Sequence, residues 1–396
     1  MTCPDCDGAA AYHGDRERHA VSALGQLRFR RAYYYCRRCG QGFTPFDRQA
    51  GFTPRRLTPA AERLATLAGA TCESFERGAD ALEEMAGIRL SESTVGRTTE
   101  DVGARLAGML GQDQTVGPAV RWQWHLDASG RKVAYFTIDA TGTRQQGPGG
   151  KKAEGRMAYV AGVYNPRPVD WLLPPGKKPP EMQARYLSGL YSLDQVGPLL
   201  RRQAARVGME DAEVWVALTD GGSGLEDFCR ENFNRPDLVL ILDFYHAASY
   251  LEGLAKALWP QAEEEAKAQA ERWCRLLKAE GGATMLAVLE NAEWPARKSA
   301  TLKEALETTS RYFANNLHRM EYPEYQANGW QIGSGVVESA CKTVVGQRLK
   351  GAGMRWSEEG AHALCHVRAL YRSEKGQWDA FWKRQFTQRP SVQQQK

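Results

Sequence analysis

The chain has 396 residues, of which 42% are hydrophobic and 25% are charged, so it can build a real core. It contains no apolar run near the roughly 20 residues of a membrane span and no secretory signal, which argues against membrane and exported proteins. We therefore expect a soluble, cytoplasmic protein of about two to four domains.

The formal net charge of +5 is unevenly distributed along the chain. Residues 1–57 hold ten arginines and five acidic residues, and residues 342–384 hold nine basic and four acidic residues. Residues 58–110 hold five arginines and nine acidic residues. Two basic ends around a more acidic middle indicate a polyanion bound by the ends, although a similar surplus occurs in proteins that never contact nucleic acid.

Residues 1–57 contain two Cys-x-x-Cys pairs, formed by Cys3, Cys6, Cys36 and Cys39. Four thiolates in two short knuckles are typical of one structural zinc ion, and a segment this small has little core without metal. The long spacer between the pairs ends in a predicted strand at Leu27–Tyr35, which indicates a hairpin. His13 or His19 in the spacer could replace one cysteine; surface positions for both are the simpler alternative.

The second half of this predicted zinc ribbon interleaves basic and aromatic residues. Three tyrosines, Tyr33 to Tyr35, lie among five arginines: Arg28, Arg30, Arg31, Arg37 and Arg38. This pattern suits phosphate contacts and base stacking on DNA. The alternative is a solvated strand face whose tyrosines pack on the zinc core.

Residues 58–118 predict a helical domain. Thr58-Pro59 is a typical helix start, and helices are expected over 59–69, 74–86 and 92–110. The last two resemble a helix-turn-helix, a DNA-binding motif, with Arg97 on the candidate recognition helix. Because this region is acidic overall, an ordinary helical linker domain is an equal alternative.

Residues 119–248 predict an α/β domain. Strands are expected at Lys132–Ile138, at Arg156–Tyr164, near Val169–Leu173, at Glu213–Thr219 and at Leu238–Leu242. With helices at 193–207 and 225–233 and a last one after the fifth strand, the order is β-β-β-α-β-α-β-α. Continuous apolar strands separated by helices indicate a central sheet covered on both faces.

Three acidic residues directly follow predicted strands: Asp139, Asp220 and Asp243. In such sheets functional groups gather where strands end. Each also has a simpler explanation, because Asp139 and Asp220 precede glycine-containing turns and Asp243 can cap the helix that contains His246.

Residues 249–331 predict a helical insertion, with helices at 247–258, 263–278, 284–290 and 298–320. The segment 332–396 then begins with a glycine-flanked turn and a helix whose buried side is marked by Val337, Cys341, Val344 and Val345. Glu338 lies one turn into this helix. Its simplest explanation is a surface ion pair with Lys342.

Two carboxylates at strand ends and a third on a later helix form an arrangement that holds two divalent ions, Mg²⁺ or Mn²⁺, for phosphoryl transfer. In this chain Asp139, Asp220 and Glu338 would supply them. Taken singly each acid favours its simpler explanation, whereas together they favour a metal-dependent active site.

The same residues carry a family resemblance. Asp139 in Ile-Asp-Ala-Thr-Gly, Asp220 in Leu-Thr-Asp-Gly-Gly and Glu338 in Gly-Ser-Gly-Val-Val-Glu-Ser-Ala-Cys-Lys resemble the DDE triad of bacterial insertion-sequence transposases. The resemblance is closest to the ISKra type within the Mutator-like superfamily. Its most specific segments are Leu-Asp-Phe-Tyr-His-Ala-Ala-Ser-Tyr-Leu, which contains Asp243 and His246 as supporting groups, and Val-Gly-Gln-Arg-Leu-Lys-Gly-Ala-Gly-Met-Arg-Trp-Ser.

This resemblance covers about residues 1–375. It implies an RNase H-like catalytic domain formed by residues 119–248 and by 332–396, which hold the final helices and a basic tail. It also implies binding of terminal inverted repeats and target DNA, cleavage with two metal ions, strand transfer, and at least a dimer on DNA. A domesticated transposase that acts as a DNA-binding regulator, or an RNase H-like nuclease without joining activity, are the alternatives.

The last segment also supplies candidate DNA contacts, Lys342, Arg348, Lys350 and Arg355. Some DDE transposases place a Lys or Arg six or seven residues after the glutamate, where this chain has Val344 and Val345. Lys342 and Arg348 could substitute at a neighbouring turn, so the acids are the firmer part of the resemblance.

Overall fold

The computed structural model describes residues 1–114, 116–168, 172, 176, 178, 180–295 and 299–387. Among these residues no helix is both long enough and apolar enough to cross a membrane.

The N-terminal segment is a small antiparallel sheet in the order β1 (Ala10–Ser22), β2 (Gly25–Cys36) and β3 (Gly42–Phe43), followed by the short helix α1 (Pro45–Gln49). The hairpin predicted within the cysteine spacer is therefore confirmed. Main-chain hydrogen bonds join the end of β1 to the next segment: Val21 N donates to Arg56 O at 2.8 Å, and Thr58 N donates to Val21 O at 2.9 Å.

Three helices follow, α2 (Pro59–Thr71), α3 (Phe75–Ala86) and α4 (Glu92–Gly111). Each helix is capped at its start by a hydroxyl side chain that accepts a hydrogen bond from a backbone N–H of the first turn. The capping residues are Thr58, Ser74 and Ser91. They enclose a small core that includes Leu82 and Val95. The predicted positions of all three helices are confirmed within two residues.

The central sheet is mixed. Its strands are β4 (His125–Leu126), β5 (Lys132–Thr143), β6 (Arg156–Asn165), β7 (Gln183–Gly189), β8 (Val214–Thr219) and β9 (Leu238–Leu242), with α5 (Leu193–Arg206) and α6 (Leu225–Asn232) between the later strands. The order across the sheet is β7-β6-β5-β8-β9, and β4 pairs with β5. Strands β5, β6 and β7 pair antiparallel, whereas β8 and β9 run parallel to β5.

The third strand differs from the prediction. It lies at 183–189, and residues 169–171 and 173 of the segment expected to form it are outside the described residues. The other predicted strands are confirmed, with β5 longer than expected.

The remaining helices are α7 (Phe244–Leu258), α8 (Glu263–Asn291), α9 (Ala300–Asn316), α10 (Tyr322–Ala327), α11 (Gly335–Ala340), α12 (Gln347–Leu349), α13 (Glu358–Arg372) and α14 (Gln377–Thr387). Two predicted helices are joined in α8, which is kinked at Gly281. The helix predicted to begin at Lys298, outside the described residues, is observed as α9 and a 3₁₀ turn. Residues 341–346 form a π-helical segment between α11 and α12.

Both faces of the sheet are buried, as the continuous apolar strands predicted. Because side chains alternate along β5, Phe136 and Ile138 face a core shared with α5, α6 and α13, whereas Val133 and Tyr135 face a core shared with α7, α8 and α9. Helices α7, α8 and α9 thus cover the face on which Val133 and Tyr135 lie.

The helical trio α2–α4 packs against α13. At the closest approach, a Cβ on Gly103 of α4 would lie 2.1 Å from the carbonyl oxygen of Ala363, so this position requires glycine. The last carbonyls of α2 are also bound by two arginines from the end of the chain. Arg348 Nε donates to Gly69 O at 3.1 Å, and the Arg368 guanidinium donates to Ala70 O.

Arg348 corrects one prediction. Its side chain was expected to face DNA, but only 1% of the residue is exposed. The guanidinium lies 4.5 Å from the ring of Phe75 and 5.1 Å from that of Trp356. Burial lowers the pKa of Arg348 to about 10. It binds helix-end carbonyls, which carry partial negative charge, instead of a phosphate.

Candidate functional site

The four ribbon cysteines form a cluster that can hold a metal ion. The sulfur atoms of Cys3, Cys6, Cys36 and Cys39 all lie within 4.8 Å of one another. Two pairs, Cys3–Cys39 and Cys6–Cys36, are each 3.6 Å apart. Backbone hydrogen bonding from Cys39 lowers the pKa of Cys36 to about 7, which favours the thiolate form that metals bind.

Neither spacer histidine belongs to this cluster. The His19 ring is 3.0 Å from a carboxylate oxygen of Glu17, and the His13 ring lies edge-on to Tyr33. The surface alternative for both is therefore the observed one.

The ribbon arginines divide into paired and free groups. Arg28 pairs with Glu17 and Arg31 with Asp47, each at 2.8 Å. Arg30, Arg37 and Arg38 are exposed, and no ion pair to them is found among the described residues. Tyr34 packs beside the cysteine cluster and stacks on Phe43 with ring centroids 5.9 Å apart, whereas Tyr35 is exposed.

A cleft of about 310 Å³ lies at the ends of β8 and β9. Its lining brings together the five predicted residues Asp139, Asp220, Asp243, His246 and Glu338. They come from positions up to two hundred residues apart in the chain, and the sheet topology is what makes them neighbours.

Asp139 is not at the end of its strand, contrary to the prediction. It lies inside β5, which pairs with β6 as far as Thr143. The parallel pairing with β8 stops earlier, at Phe136 and Ala217, and Thr137 Oγ1 donates to Leu218 O at 2.7 Å. Asp139 is therefore free on the side where β8 has ended.

Asp220 follows β8 directly, as predicted, and its carboxylate accepts the backbone N–H of Gly222 at 2.9 Å. The intervening Gly221 is covered by Tyr312 of α9: a Cβ here would lie 2.5 Å from that ring. Helix α9 thus forms one wall of the cleft beside Asp220.

Asp243 connects the sheet to the segment that carries Glu338. It caps α7 by accepting Tyr245 N at 2.9 Å, and it also accepts hydrogen bonds from the backbone N–H and the hydroxyl of Ser334. Phe244 N donates to Ile332 O at 2.8 Å. Asp243 is only 6% exposed, so its carboxylate fixes the start of α11 and is held by protein donors.

Glu338 lies on α11, one turn after Ser334. The simple alternative of an ion pair with Lys342 is not observed between these two described residues, and Lys342 is exposed. The predicted apolar stripe is confirmed, since Val337, Val344 and Val345 are buried. The change to π-helix at Cys341 directly follows this turn; such insertions are frequent at functional sites.

The surroundings of Asp139 disfavour the charged form of its carboxyl. Burial raises the pKa of its carboxyl, and the nearby charge of Asp220 acts in the same direction. Its Oδ1 accepts Ala140 N at 2.6 Å, and its Oδ2 lies 3.4 Å from the Cys341 thiol, which donates to it. These donors compensate only part of the cost of a buried negative charge.

The carboxylates suit hard divalent cations in their chemistry, since all offer oxygen ligands. They are less closely gathered than the thiols: among the described residues, the four cysteines are the only group of three or more whose ligand atoms all lie within 4.8 Å. The acids line one cleft without converging on a single point.

An aromatic wall borders the acids. Tyr250 and Tyr312 stack with ring centroids 3.9 Å apart, and the His246 ring lies 5.7 Å from Tyr250 and 5.8 Å from Tyr312. The Tyr312 hydroxyl is buried without a hydrogen-bond partner among the described residues. His246 thus lines the cleft from the first turn of α7.

Exposed cations surround the cleft and the loop after α12. Lys342, Lys350 and Arg355 are exposed, and the Lys350 ammonium donates to Thr141 Oγ1, two residues beyond Asp139 on β5. Arg97 is exposed on α4 and lines a recess of about 440 Å³ together with Arg355. The candidate recognition helix therefore lies beside the basic loop.

Sequence reasoning missed three contributors to the cleft, Tyr245, Ser249 and the contact of Cys341 with Asp139. A signal existed for Cys341, which lies three residues after Glu338 and therefore on the same side of a helix. No known protein-family model matches this chain, and no curated protein is significantly similar to it.

Proposed function

We propose that this protein is a DDE transposase of the ISKra type, within the Mutator-like superfamily, which cleaves the inverted-repeat ends of an insertion sequence and joins them to target DNA. The observation that carries the proposal is the single cleft that receives Asp139 from β5, Asp220 from the end of β8 and Glu338 from α11. Asp139 and Asp220 are half-buried and Glu338 is exposed, and none of the three forms an ion pair with a Lys or Arg of the described residues; carboxylates brought together in this way repel one another unless a cation balances them.

The arrangement of the sheet supports an RNase H-like domain. Three antiparallel strands are followed by two that run parallel to the first, in the order β7-β6-β5-β8-β9. The first acid lies on the central strand β5 and the second at the end of its parallel neighbour. The helices between β9 and α11 are consistent with the expected insertion, since they separate the third acid from the sheet in sequence but return it in space.

Asp139, Asp220 and Glu338 would hold two Mg²⁺ or Mn²⁺ ions. Bound there, such ions activate the attacking oxygen and stabilise the leaving oxygen in phosphoryl transfer. The ligand atoms of the three acids do not all lie within 4.8 Å of one another, so their spacing does not favour one tightly caged ion. The raised pKa of Asp139 fits a carboxylate whose charge a cation would balance.

The chain's own residues orient this site. Asp243 holds Ser334 and so fixes the turn from which Glu338 projects. Cys341 and the backbone of Ala140 hold the two oxygens of Asp139. Lys350, on Thr141, places a positive charge where the DNA backbone would continue past Asp139.

The N-terminal regions would supply DNA binding. We propose that the cysteine cluster holds one Zn²⁺ and that Arg30, Arg37 and Arg38 of the ribbon contact phosphates, since they are exposed and free of carboxylate partners among the described residues. Arg28 and Arg31 are committed to Glu17 and Asp47, so their contribution would be smaller. Arg97 on α4 and Arg355, which line one recess, would add further phosphate contacts.

The triad can be tested with a supercoiled plasmid that carries the coding region and its flanking DNA. With Mg²⁺ or Mn²⁺, Asp139→Asn, Asp220→Asn and Glu338→Gln should each slow nicking at the element ends by about 10²- to 10³-fold, because several kcal/mol of transition-state stabilisation are lost. DNA binding should persist. Glu264→Gln, which removes an exposed acid on α8, a helix that contributes no residue to the lining of the cleft, is the matched control and should leave nicking unchanged.

Other results of the nicking experiment would support other functions for the protein. Full nicking by any triad variant would contradict the assignment of that residue. Wild-type protein that binds DNA but never nicks it would indicate a regulator derived from a transposase. Nicking without any joined product would indicate a nuclease on the same fold.

A further inference from the structure

We propose that the β5–β6 hairpin tip, residues 144–155, is a second DNA-backbone contact that holds the duplex about five base pairs from the cleft. The inference rests on the proposed function for the identity of the partner, duplex DNA. It concerns three cations that the family resemblance did not single out: Arg144, Lys151 and Lys152.

The hairpin tip is rich in exposed basic side chains. Arg144, Lys151 and Lys152 are all exposed, and none of them forms an ion pair with a carboxylate of the described chain. Glu154 is the one acidic residue in the segment. About half of the other exposed arginines among the described residues are paired with a carboxylate, such as Arg121 with Asp211 at 2.6 Å. Unpaired charge gathered on one tip is a footprint for a polyanion.

The tip is also joined to the basic loop after α12. Gln146 N donates to Trp356 O at 2.7 Å, and Trp356 N donates to Arg144 O at 3.1 Å. Trp356 is 8% exposed, and its indole N–H donates to Leu349 O at 3.1 Å, so the loop is anchored in the core. Hairpin and loop therefore present Arg144, Lys151, Lys152, Lys350 and Arg355 as one rigid basic surface.

The spacing along β5 fits a duplex that leaves the cleft. Strand residues rise about 3.3 Å each, so Thr141 with its bound Lys350 lies about 7 Å beyond Asp139 and Arg144 about 17 Å beyond it. B-DNA rises about 3.4 Å per base pair, which places Lys350 about two and Arg144 about five base pairs from a phosphate at Asp139. The length of chain between Asp139 and Arg144 thus sets the distance between the phosphate at the cleft and the phosphate that the hairpin tip would contact.

The test measures salt-dependent binding on an Asp139→Asn background, which leaves DNA uncut. A fluorescent random-sequence duplex of about 20 base pairs is titrated between about 50 and 200 mM KCl. The triple variant Arg144→Gln/Lys151→Gln/Lys152→Gln should reduce the slope of log K against log salt by about 2 to 3, since each lost phosphate contact removes about 0.9. The matched control, Lys267→Gln/Arg272→Gln/Lys278→Gln on α8, should keep the parental slope.

A triple variant with the parental slope, or a control with the same loss, would overturn the hairpin contact. This readout needs no cutting, so absence of nicking by the wild-type protein would remove the transposase proposal and leave the hairpin result standing. In protein with Asp139 intact, the triple variant should raise the DNA concentration for half-maximal nicking by about tenfold and keep the maximal rate. A lower maximal rate at an unchanged half-saturating concentration would also overturn it.

Discussion

The two candidate metal sites of this protein are built in opposite ways. In the ribbon, four thiols from two local knuckles lie within 4.8 Å of one another, and two pairs are 3.6 Å apart. In the sheet, three carboxylates from elements distant in sequence line a cleft without gathering at one point. Neutral thiols can crowd together and lose protons when a metal binds, whereas carboxylates are already charged and repel.

This difference suggests different dependences on metal. The ribbon has a very small core, of Cys3, Ala10 and Cys36 with a few partly buried neighbours, so we expect its fold to depend on an ion held by the cluster. The sheet has two large cores and folds around the acids regardless. Metal in the ribbon would serve stability, and metal in the cleft would serve chemistry.

The largest expected effect is loss of the ribbon fold when zinc is removed. Structural zinc sites are worth about 10–16 kcal/mol at neutral pH, far more than this core can replace. A strong chelator should therefore release one equivalent of zinc and abolish the β-sheet amide protection of residues 1–36 in hydrogen exchange. Cys36→Ser should reproduce the loss without chelator.

The positions of the tryptophans in the chain provide a control for this experiment. All 11 tryptophans lie at position 122 or later, outside both the ribbon and the helical trio, so tryptophan fluorescence does not report on the ribbon. That signal should stay unchanged on chelation. A purified protein without zinc whose ribbon amides remain protected would refute the comparison.

Acid should also affect the sheet domain and the ribbon differently, because helix α13, which packs on the sheet, carries the half-buried His362 and the buried His366. Leu190 N donates to His362 Nδ1 at 3.1 Å, and the Tyr191 hydroxyl is 2.7 Å from His366 Nε2. Burial lowers the pKa of His366 to about 3. The unfolded chain takes up this proton below about pH 6.5 and the folded chain does not, so stability falls as pH drops from about 6.5 towards 3.

From pH 7 to pH 5 this one group should remove about 2 kcal/mol of unfolding free energy, measured by denaturant titration with tryptophan fluorescence. His366→Gln removes the titrating ring and should flatten the curve by about that amount. An equally steep curve for the variant would assign the acid sensitivity to other groups, among them His362, whose pKa burial also lowers.

The smallest expected effect concerns the cleft itself. Burial raises the pKa of Asp139, so its charged form at neutral pH costs stability, and this cost is lost as pH falls through the raised pKa of the folded state towards the lower pKa of the unfolded chain. Asp139→Asn should therefore raise stability by about 1 kcal/mol in metal-free buffer, in the way functional groups often oppose stability. Thermal unfolding with chelator measures it.

Millimolar Mg²⁺ should raise the midpoint of the wild-type protein and have little effect on Asp139→Asn, because binding to the folded state alone stabilises it. A variant that is less stable than the wild type in chelator would show that Asp139 is a structural group. In that case Asp139 would serve stability, as we expect of the ribbon cysteines, and the proposed difference in function between the two sites would not hold.

Much of this architecture follows from local sequence patterns. The Cys-x-x-Cys knuckles, the hydroxyl-capped helices and the apolar strands β8 and β9 are encoded by neighbouring residues, and all were predicted within a few positions. The acids were predicted to converge because parallel strands end at one edge of a sheet. Asp139 reached the cleft by another route, inside a long strand whose partner stops early, which only the register reveals.

The failures share a physical cause, which is long-range packing. Arg348 looks like a surface cation in sequence, yet the carbonyls of a helix 279 residues earlier draw it inside. The third strand lies at 183–189 because pairing with β6 and the ion pair of Arg185 with Glu374 select it, and neither is local. The hairpin tip at residues 144–155 shows no sequence pattern of its own, but the pairing of Gln145 with Trp356 makes it part of a basic surface.

The two arginine contacts at the end of α2 have a consequence for synthesis. A ribosome releases the ribbon and the helical trio first, but the guanidiniums that bind Gly69 O and Ala70 O belong to residues 348 and 368. Until those residues leave the exit tunnel, the C-terminal end of α2 lacks its partners and the trio has no α13 to pack against. The nascent chain therefore cannot join the ribbon and the helical trio to the finished cleft before residue 368 has left the tunnel.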